Sequence, residues 1–290
     1  MSKQKKTILY SNAERDIGFE IAWCVGEMLK SRGKQIAFCP MFEDDMTART
    51  VPPGYSSSTL EQELSHAEMI ITFGGDGTIL RAARASSDMN VPILGVNLGG
   101  KGFMAELESE ELGIIDAVVS GDYRIESRMM LDVEVMRDSE LVYKDYALND
   151  IVIRGENKVI DLMIFGDGHL ITHFSGDGAV IATPTGSTAY SMAAGGPIVE
   201  EAAHNIIVTP VCAHVLQAKS FVLVSDRRVS VELGYRKNNP AYMSVDGENH
   251  QNIQTGDVMY IHKSERCTRL VRLSNRNFYK KVSEKLGERL

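Results

Sequence analysis

Two glycine-rich segments carry the residues best suited to chemistry. The first, Gly74-Gly75-Asp76-Gly77-Thr78, follows directly on the apolar run Met69 to Phe73. That places it at the carboxyl end of a strand, where open α/β sheets hold their ligands. Glycines let a ligand approach the backbone and leave amide N–H groups uncovered. A helix starting at Thr78 or Ile79 would aim further N–H groups, and the positive end of its dipole, at an anion. Gly74, Gly75 and Thr78 are therefore candidate phosphate contacts. Asp76 does not suit a site that only holds phosphate, because its charge repels one. It suits a base, or a partner for a hydroxyl or a metal. The competing reading is a plain turn, since Asp-Gly is a common turn pair.

The second segment runs from Gly176-Asp177-Gly178 through an apolar stretch into Thr183-Pro184-Thr185-Gly186-Ser187-Thr188-Ala189-Tyr190-Ser191. The hydroxyls of Thr183, Thr185, Ser187, Thr188 and Ser191 can donate to phosphate or sugar oxygens, as can exposed backbone amides. Gly186 and Ser187 are the candidate phosphate contacts here, and Tyr190 can stack on a base. A Ser/Thr-rich surface loop is the competing reading; the small residues Ala193-Ala194-Gly195-Gly196 that follow argue instead for close packing. Between the two segments stands Asn149-Asp150. The amide of Asn149 can pair with an adenine or ribose edge, and Asp150 can accept from ribose hydroxyls; a turn between strands is the alternative.

Other patterns lead nowhere. Gly95-x4-Gly100-Lys101 resembles a phosphate-binding P-loop, but Gly102 stands where the magnesium-binding Ser or Thr belongs. Gly75-x-Gly77 and Gly176-x-Gly178 lack the third glycine of a dinucleotide fingerprint, since Leu80 and Ile181 occupy its place. No H-E-x-x-H or G-x-S-x-G occurs, and His169 and His173 read as surface residues of a hairpin strand.

The elements that must position these residues fall into two groups. Thr7 to Tyr10, Gln35 to Cys39, Met69 to Phe73 and Val91 to Val96 read as strands alternating with helices. Ile17, Ile21, Cys24, Val25, Met28 and Leu29 would share one helical face, and Ile79 to Ser86 reads as a second helix. That alternation predicts a parallel, doubly wound sheet. Glu43 to Ser58, with Pro52-Pro53-Gly54, reads as a mobile loop. After about residue 126 short alternating strands are separated by turn candidates at Asp138-Ser139, Gly166-Asp167-Gly168, Asp226-Arg227 and Asp246-Gly247, which predicts a mostly β domain. Asn277 to Leu290 reads as a surface helix with apolar positions Phe278, Val282 and Leu286.

At 290 residues the chain can bury two domain cores. A net charge of −8 gives no global basic footprint, which argues against broad nucleic-acid binding. No apolar stretch approaches the ~18 residues of a membrane-spanning helix, and the N-terminal apolar run is too short for a signal peptide. Cys24, Cys39, Cys212 and Cys267 form no C-x-x-C pair and read as reduced, mostly buried thiols of a cytoplasmic protein.

Together the motifs resemble the NAD kinase family. They stand here as GGDGTILRAAR at 74–84, NLGGKGFMAE at 97–106, Asn149-Asp150, and GDGAVIATPTGSTAYSMAAGGPIV at 176–199, with Asp246-Gly247-Glu248 similar to a later D-G-Q-like turn. GGDGT alone is shared with diacylglycerol kinases and phosphofructokinases, so a lipid or sugar kinase of that superfamily is the alternative; the TPTGSTAYS run is much more specific. The resemblance implies an α/β domain over residues 1–126, a β-rich substrate domain over 127–269, a tail from about 270–290 returning to the first, and a cleft between the domains. It implies phosphoryl transfer from ATP to the adenosine-ribose 2′-hydroxyl of NAD, with Asp76 as catalytic base. NAD would meet Asp76, Gly77, Arg81, Phe103, Asn149, Asp150, Asp177, Thr188, Ala189, Tyr190 and Ser191. The charge of a triphosphate calls for a divalent metal, magnesium; no carboxylate cluster stands out to bind it tightly, so it is expected to arrive with the nucleotide. The resemblance further implies a homo-oligomer, with a tetramer favoured. Three positions depart from the family: Ala193 replaces a frequent Ser, and Asp161 and Ser175 stand near positions that are often basic, so residues 161 and 175 are not counted as contacts.

Overall fold

The computed structural model describes residues 5–42, 51–100, 102–214, 218–234, 240–274 and 278–287. The chain divides into two compact units, Met1–Ser127 with Thr268–Leu290, and Arg128–Cys267.

In the first unit β1 (Lys6–Ser11), β2 (Gln35–Pro40), β3 (Ala67–Gly74) and β4 (Ile93–Asn97) form a parallel sheet in the order β4-β3-β1-β2. Ile8 pairs with Ile70, and Ile71 with Leu94, all wholly buried. Both faces of such a sheet are covered, which is why its strands read as unbroken apolar runs. Helix α1 (Glu20–Ser31) packs on it through Ala22, Val25, Gly26 and Leu29. The face expected from apolar spacing is therefore rotated: Ile17 is 72% exposed in a 3-10 turn before the helix, and Cys24 points outward. The cause is close approach at a small residue. A Cβ on Gly26 would lie 2.3 Å from the Tyr55 hydroxyl and 2.9 Å from Leu9, so the helix seats on its Ala22–Gly26 side.

Helix α2 (Leu60–Leu64) starts at a capping box formed by Thr59 and Gln62. Helix α3 (Asp76–Ser86) begins earlier than expected, with extended Gly75 as N-cap and the amides of Thr78 and Ile79 both donating to the Gly75 carbonyl. An acidic first residue suits a helix N-terminus, which explains the earlier start. Residues 107–108 form β5 beside β4, and α4 spans Asp116–Ser120. Of the expected 43–58 loop, residues 43–50 lie outside the described residues, and Ser57 bridges to Phe38.

The strands that follow are β6 (Arg124–Arg137), β7 (Glu140–Ala147), β8 (Asp150–Gly155), β9 (Ile160–Gly166), β10 (His169–Gly176), β11 (Gly178–Ala182), β12 (Asn205–Val211), β13 (Phe221–Val224), β14 (Val229–Leu233), β15 (Ala241–Val245), β16 (Glu248–Ile253) and β17 (Val258–Arg272). In the second unit β13-β12-β11-β8-β15-β16 form an antiparallel sheet, β10-β9-β14-β17 are also antiparallel, and β6 pairs with β7 as a hairpin. Alternate residues of these strands, among them Leu131, Val133, Ile151, Ile153, Leu162, Ile181, Val208 and Met243, make one continuous core. The turn candidates fall between strands. Asp138-Ser139, Asp167-Gly168 and Asp246-Gly247 all have positive φ, the hairpin signature that favours Asp and Gly. A short helix α5 (Tyr190–Ala193) follows the TPTGS loop. Near the C-terminus α6 (Phe278–Gly287) has no buried residue, and residues 277 and 288–290 of the expected helix lie outside the described residues. The fold is thus an N-terminal α/β unit with a parallel sheet and a mostly β, antiparallel C-terminal unit.

Candidate functional site

Asp76 opens α3 and remains partly exposed. Its Oδ2 accepts from the Phe103 amide at 2.7 Å and its Oδ1 from the Met104 amide at 3.0 Å. Each carboxylate oxygen can accept twice, so both retain an acceptor site after these bonds. The segment that supplies the amides is itself braced. Arg272 donates to the Met104 carbonyl at 3.0 Å and is ion-paired with Glu106 and Glu126. Asn97 donates to the carbonyls of Gly99 and Gly100 and to Glu108. Asp76 is thus held from one side by a loop that other buried polar groups keep in place.

The glycines of this segment separate into two roles. A Cβ on Gly74 would sit 2.2 Å from the Thr78 hydroxyl, so Gly74 makes room for Thr78. At Gly75 and Gly77 a Cβ would meet nothing within 4 Å among the described residues, leaving open space on either side of Asp76. Thr78 is turned inward: it is 2% exposed, its hydroxyl contacts the Met41 sulfur, and its amide is bonded to Gly75. Its side chain is thus directed at Met41 and its amide is taken up by the first turn of α3. Gly77 and Arg81 are exposed on α3, with the Arg81 guanidinium over the Phe42 ring at 5.1 Å, and Phe103 is half-buried.

In the second unit Asn149 joins β7 to β8 and is half-exposed, while Asp150 is 4% exposed. Burial first, and the charge of Asp246 second, push the Asp150 carboxyl up to about 7. Asp150, Val152 and Arg154 alternate onto one face of β8. Val152, Val180, Ala182, Ile207 and Val211 form an apolar patch on which Tyr190 packs, and the Arg154 guanidinium lies 6.0 Å from the Tyr190 ring centre. Asp177 is half-buried in the link from β10 to β11, with its amide bonded to Val211 and its carbonyl to Gly155.

The hydroxyls of the Thr183–Ser191 loop are engaged with the protein rather than presented to solvent. Thr183 donates to the Leu148 carbonyl at 2.6 Å, Ser187 to Pro184 at 2.7 Å, and Thr188 to Thr185 at 3.1 Å. Ser191 bonds Thr209 at 3.0 Å. Thr185 accepts from Arg128 at 3.3 Å. Gly186 packs against Asn149, whose carbonyl would lie 2.1 Å from an added Cβ, and its amide donates to Thr183. Gly186, Ser187, Thr188 and Ser191 therefore shape the loop, and their hydroxyls and Cα faces point inward. Buried hydroxyls need partners, and the tight loop supplies them. Ala189 and Tyr190 remain half-exposed. The expected close packing of residues 193–196 holds at Gly196, where a Cβ would clash with Ser191 and Thr209; Ala193 and Gly195 are exposed.

Four further residues touch or brace the candidate site residues, and only Arg154 carries a local signal of it. Gly102 faces Asp76, where a Cβ would come 2.8 Å from Oδ1. Arg128 is wholly buried, ion-paired with Glu201 and bonded to Thr185, bracing the loop from beneath. Arg154 has a buried Nε without a hydrogen-bond partner among the described residues. Asp246, singled out only as part of a turn, accepts from the amides of Leu148, Asn149 and Asp150. The alternation of β8 could have flagged Arg154; the others depend on contacts distant in sequence. Asp161 and Ser175 bond each other across β9 and β10. The cysteines are less buried than expected: Cys24 and Cys212 are exposed, Cys267 is half-buried, and Cys39 is buried, with its thiol pushed up to about 12 mainly by burial. Among the described residues no group of three His, Cys, Asp or Glu side chains converges as metal ligands.

Residues 27–123 match the profile of the ATP-NAD kinase N-terminal domain, and residues 148–273 that of the ATP-NAD kinase C-terminal domain. A protein named NAD kinase from Ruminiclostridium cellulolyticum is 32% identical over 288 residues, spanning 98% of this chain and 99% of its own. Another of that name, from Caldanaerobacter subterraneus, is 36% identical over 290 residues, spanning 98% and 100%. The crystal structure of yeast NADH kinase complexed with NADH shares the fold, with a TM-score of 0.85 and 24% identity over 99% of this chain and 88% of that one.

Proposed function

The chain belongs to the NAD kinase family, and from that premise we propose that Asp76 is the general base that activates the adenosine-ribose 2′-hydroxyl of NAD. The observation that carries this is the setting of its carboxylate. Two amides hold it from one side, and a Cβ on either flanking glycine would meet nothing within 4 Å among the described residues. In the reaction the 2′-oxygen forms a bond to the terminal phosphorus of the triphosphate as the bond to the bridging oxygen breaks. The hydroxyl proton passes to Asp76, and the nucleoside diphosphate leaves. Gly75 and Gly77 admit ribose and phosphate close to the carboxylate. Asn149 and Asp150 are proposed to hold NAD through its polar edges, and Ala189 and Tyr190 through backbone contact and stacking, with Arg81, Phe103 and Asp177 as further contacts. Ser187, Thr188 and Gly186 act by setting the loop that presents Ala189 and Tyr190.

The test is incubation with NAD, a phosphoryl donor and magnesium, followed by a dehydrogenase specific for NADP. ATP, other triphosphates and polyphosphate are each supplied in turn. NADP formation supports the reading; its absence with every donor overturns it.

Magnesium belongs, in this reading, to the nucleotide substrate. The described residues offer no carboxylate cluster to hold it alone, and the triphosphate supplies oxygens of its own. A chelator is therefore expected to abolish turnover while circular dichroism and the melting temperature stay unchanged. Unfolding on chelation would make the metal structural instead. Gly102→Ala is expected to displace the Asp76 carboxylate and to lower turnover by about 10–10²-fold, the scale of a misplaced catalytic group, with little change in melting temperature. Parental turnover in that variant would show that the carboxylate position is not critical.

We propose a cytoplasmic homo-oligomer, with a tetramer favoured. Support for assembly comes from the edge strand β13, whose Val222 and Val224 are 49% and 56% exposed; unpaired apolar edges are normally covered. No helix among the described residues is long and apolar enough to cross a membrane.

A further inference from the structure

Asp246 sits in the tight turn between β15 and β16, with φ of 49° at Asp246 and 78° at Gly247. From there it reaches a segment nearly 100 residues earlier in the chain, since 98 positions separate it from Leu148. Its Oδ2 accepts from the Leu148 amide at 2.8 Å. Its Oδ1 accepts from the amides of Asn149 at 2.7 Å and Asp150 at 3.2 Å. Its own amide donates to the Asp150 carbonyl at 2.9 Å. Successive amides that converge in this way make a small concave anion site, and here the protein fills it with its own carboxylate. The other side of the segment is held as well. The Thr183 hydroxyl donates to the Leu148 carbonyl, the Thr183 amide donates to the Asn149 carbonyl at 2.9 Å, and Gly186 packs against Asn149.

We infer that Asp246 is a positioning residue for NAD recognition, its carboxylate fixing the backbone from which the Asn149 and Asp150 side chains project. The inference rests on the reading of Asn149 and Asp150 as NAD contacts. A carboxylate is needed because three donors converge on it. An amide in its place would turn an N–H₂ group toward some of those N–H groups and repel them. The same geometry has an electrostatic consequence. Beyond burial, the charge that acts on Asp150 is that of Asp246. Removing it makes Asp150 easier to ionise.

Two variants and one control test this, with NADP formation measured across pH. Asp246→Asn is expected to raise KM for NAD by about tenfold or more, the scale of lost charge-assisted hydrogen bonds. KM for the phosphoryl donor should stay near parental. The acid limb of kcat/KM for NAD should move to lower pH. Asp246→Glu keeps the charge but sets the carboxylate one methylene out of register; it should raise KM for NAD by a smaller factor and leave the acid limb where it is. A loss of melting temperature with parental KM for NAD and an unmoved limb would make Asp246 a turn former only and overturn the inference. Should Asp246→Asn not fold, a folded Asp246→Glu enzyme with parental KM for NAD overturns it equally. Asn149→Ala separates the inference from the reading beneath it. If Asn149→Ala leaves kcat/KM for NAD unchanged, the reading of Asn149 as a contact falls. If it lowers kcat/KM while Asp246→Asn does not, the inference alone falls.

Discussion

Asp76→Asn is expected to lower turnover by roughly 10²–10⁴-fold, the usual worth of a positioned general base, while NAD affinity changes far less. The variant keeps the shape of the side chain and one acceptor oxygen, and it removes the group that takes the 2′-hydroxyl proton. NAD binding should persist because the proposed contacts at Asn149, Asp150, Ala189 and Tyr190 lie elsewhere in the chain. The structure adds a second consequence. The carboxamide of that variant would turn an N–H₂ group toward the amide of either Phe103 or Met104, whereas the carboxylate accepts from both. One of those bonds is lost, at about 1.5–3 kcal/mol for a bond to a charged group. A small fall in melting temperature therefore accompanies the loss of turnover. The two effects differ in scale: a bond lost from the loop cannot produce a fall on the order of a thousandfold in an enzyme that still folds and binds NAD. Calorimetry with NAD, a melting curve and single-turnover kinetics separate them. Activity restored by raised magnesium would identify Asp76 as a metal anchor. A folded, NAD-binding variant with near-parental turnover would rule out the general base.

Asp150→Asn is expected to move stability and activity in opposite directions. The Asp150 carboxyl is raised from 3.8 to about 7, by burial and then by the charge of Asp246. The fold thus favours its protonated form. Its contribution to stability is greatest below the unfolded value, declines as pH rises from there to about 7, and is lost above that. A tenfold change in proton affinity is worth about 1.4 kcal/mol, so at pH 8 ionised Asp150 costs the fold on the order of 4 kcal/mol. The carboxamide carries no charge to desolvate. Asp150→Asn should therefore raise the melting temperature at pH 8, and the gain should shrink towards pH 5. Activity should fall. An ionised carboxylate accepts strongly from ribose hydroxyls, and its loss should lower kcat/KM for NAD by roughly 10–100-fold, equivalent to about 1–3 kcal/mol. In the parental enzyme the same group should give kcat/KM for NAD an acid limb near pH 7, absent from the variant. A variant less stable than its parent at pH 8 would show that the carboxylate is satisfied in the fold. An unchanged limb would assign that titration to another group.

Both predictions concern residues that were legible in the sequence, Asp76 in GGDGT and Asp150 in the Asn-Asp pair, although their environments were not. Local chemistry was enough for the parallel strands, since residues such as Ile70, Ile71 and Leu94 form apolar runs that only a doubly covered sheet can bury. It was enough for the hairpin turns as well, because positive φ at Asp138, Asp167 and Asp246 suits Asp and its glycine or serine neighbour. The family resemblance came from the order of glycine-rich motifs along the chain, a property of the sequence alone.

Which member of each motif faces a ligand was a different matter. Gly74 and Gly75 are adjacent and identical in type, yet one is pressed on Thr78 and the other opens to space, and only the path of α3 distinguishes them. The hydroxyls of Thr183, Ser187 and Thr188 look like phosphate donors in a row of residues, but in the fold Ser187 and Thr188 donate to carbonyls of the loop itself and Thr183 to the carbonyl of Leu148. Apolar spacing placed Cys24 on the buried side of α1, and the close approach at Gly26 turned it outward. The sequence by itself determined the elements, their turns and the chemistry available, because those depend on neighbours a few residues apart. Only the tertiary structure decided that Asp246 closes on the segment from Leu148 to Asp150 and that Arg128 closes on Glu201. Asp246 lies 98 residues from Leu148, and Arg128 lies 73 from Glu201. Contacts at such range are set by which strands pair, and not by any pattern local to either partner.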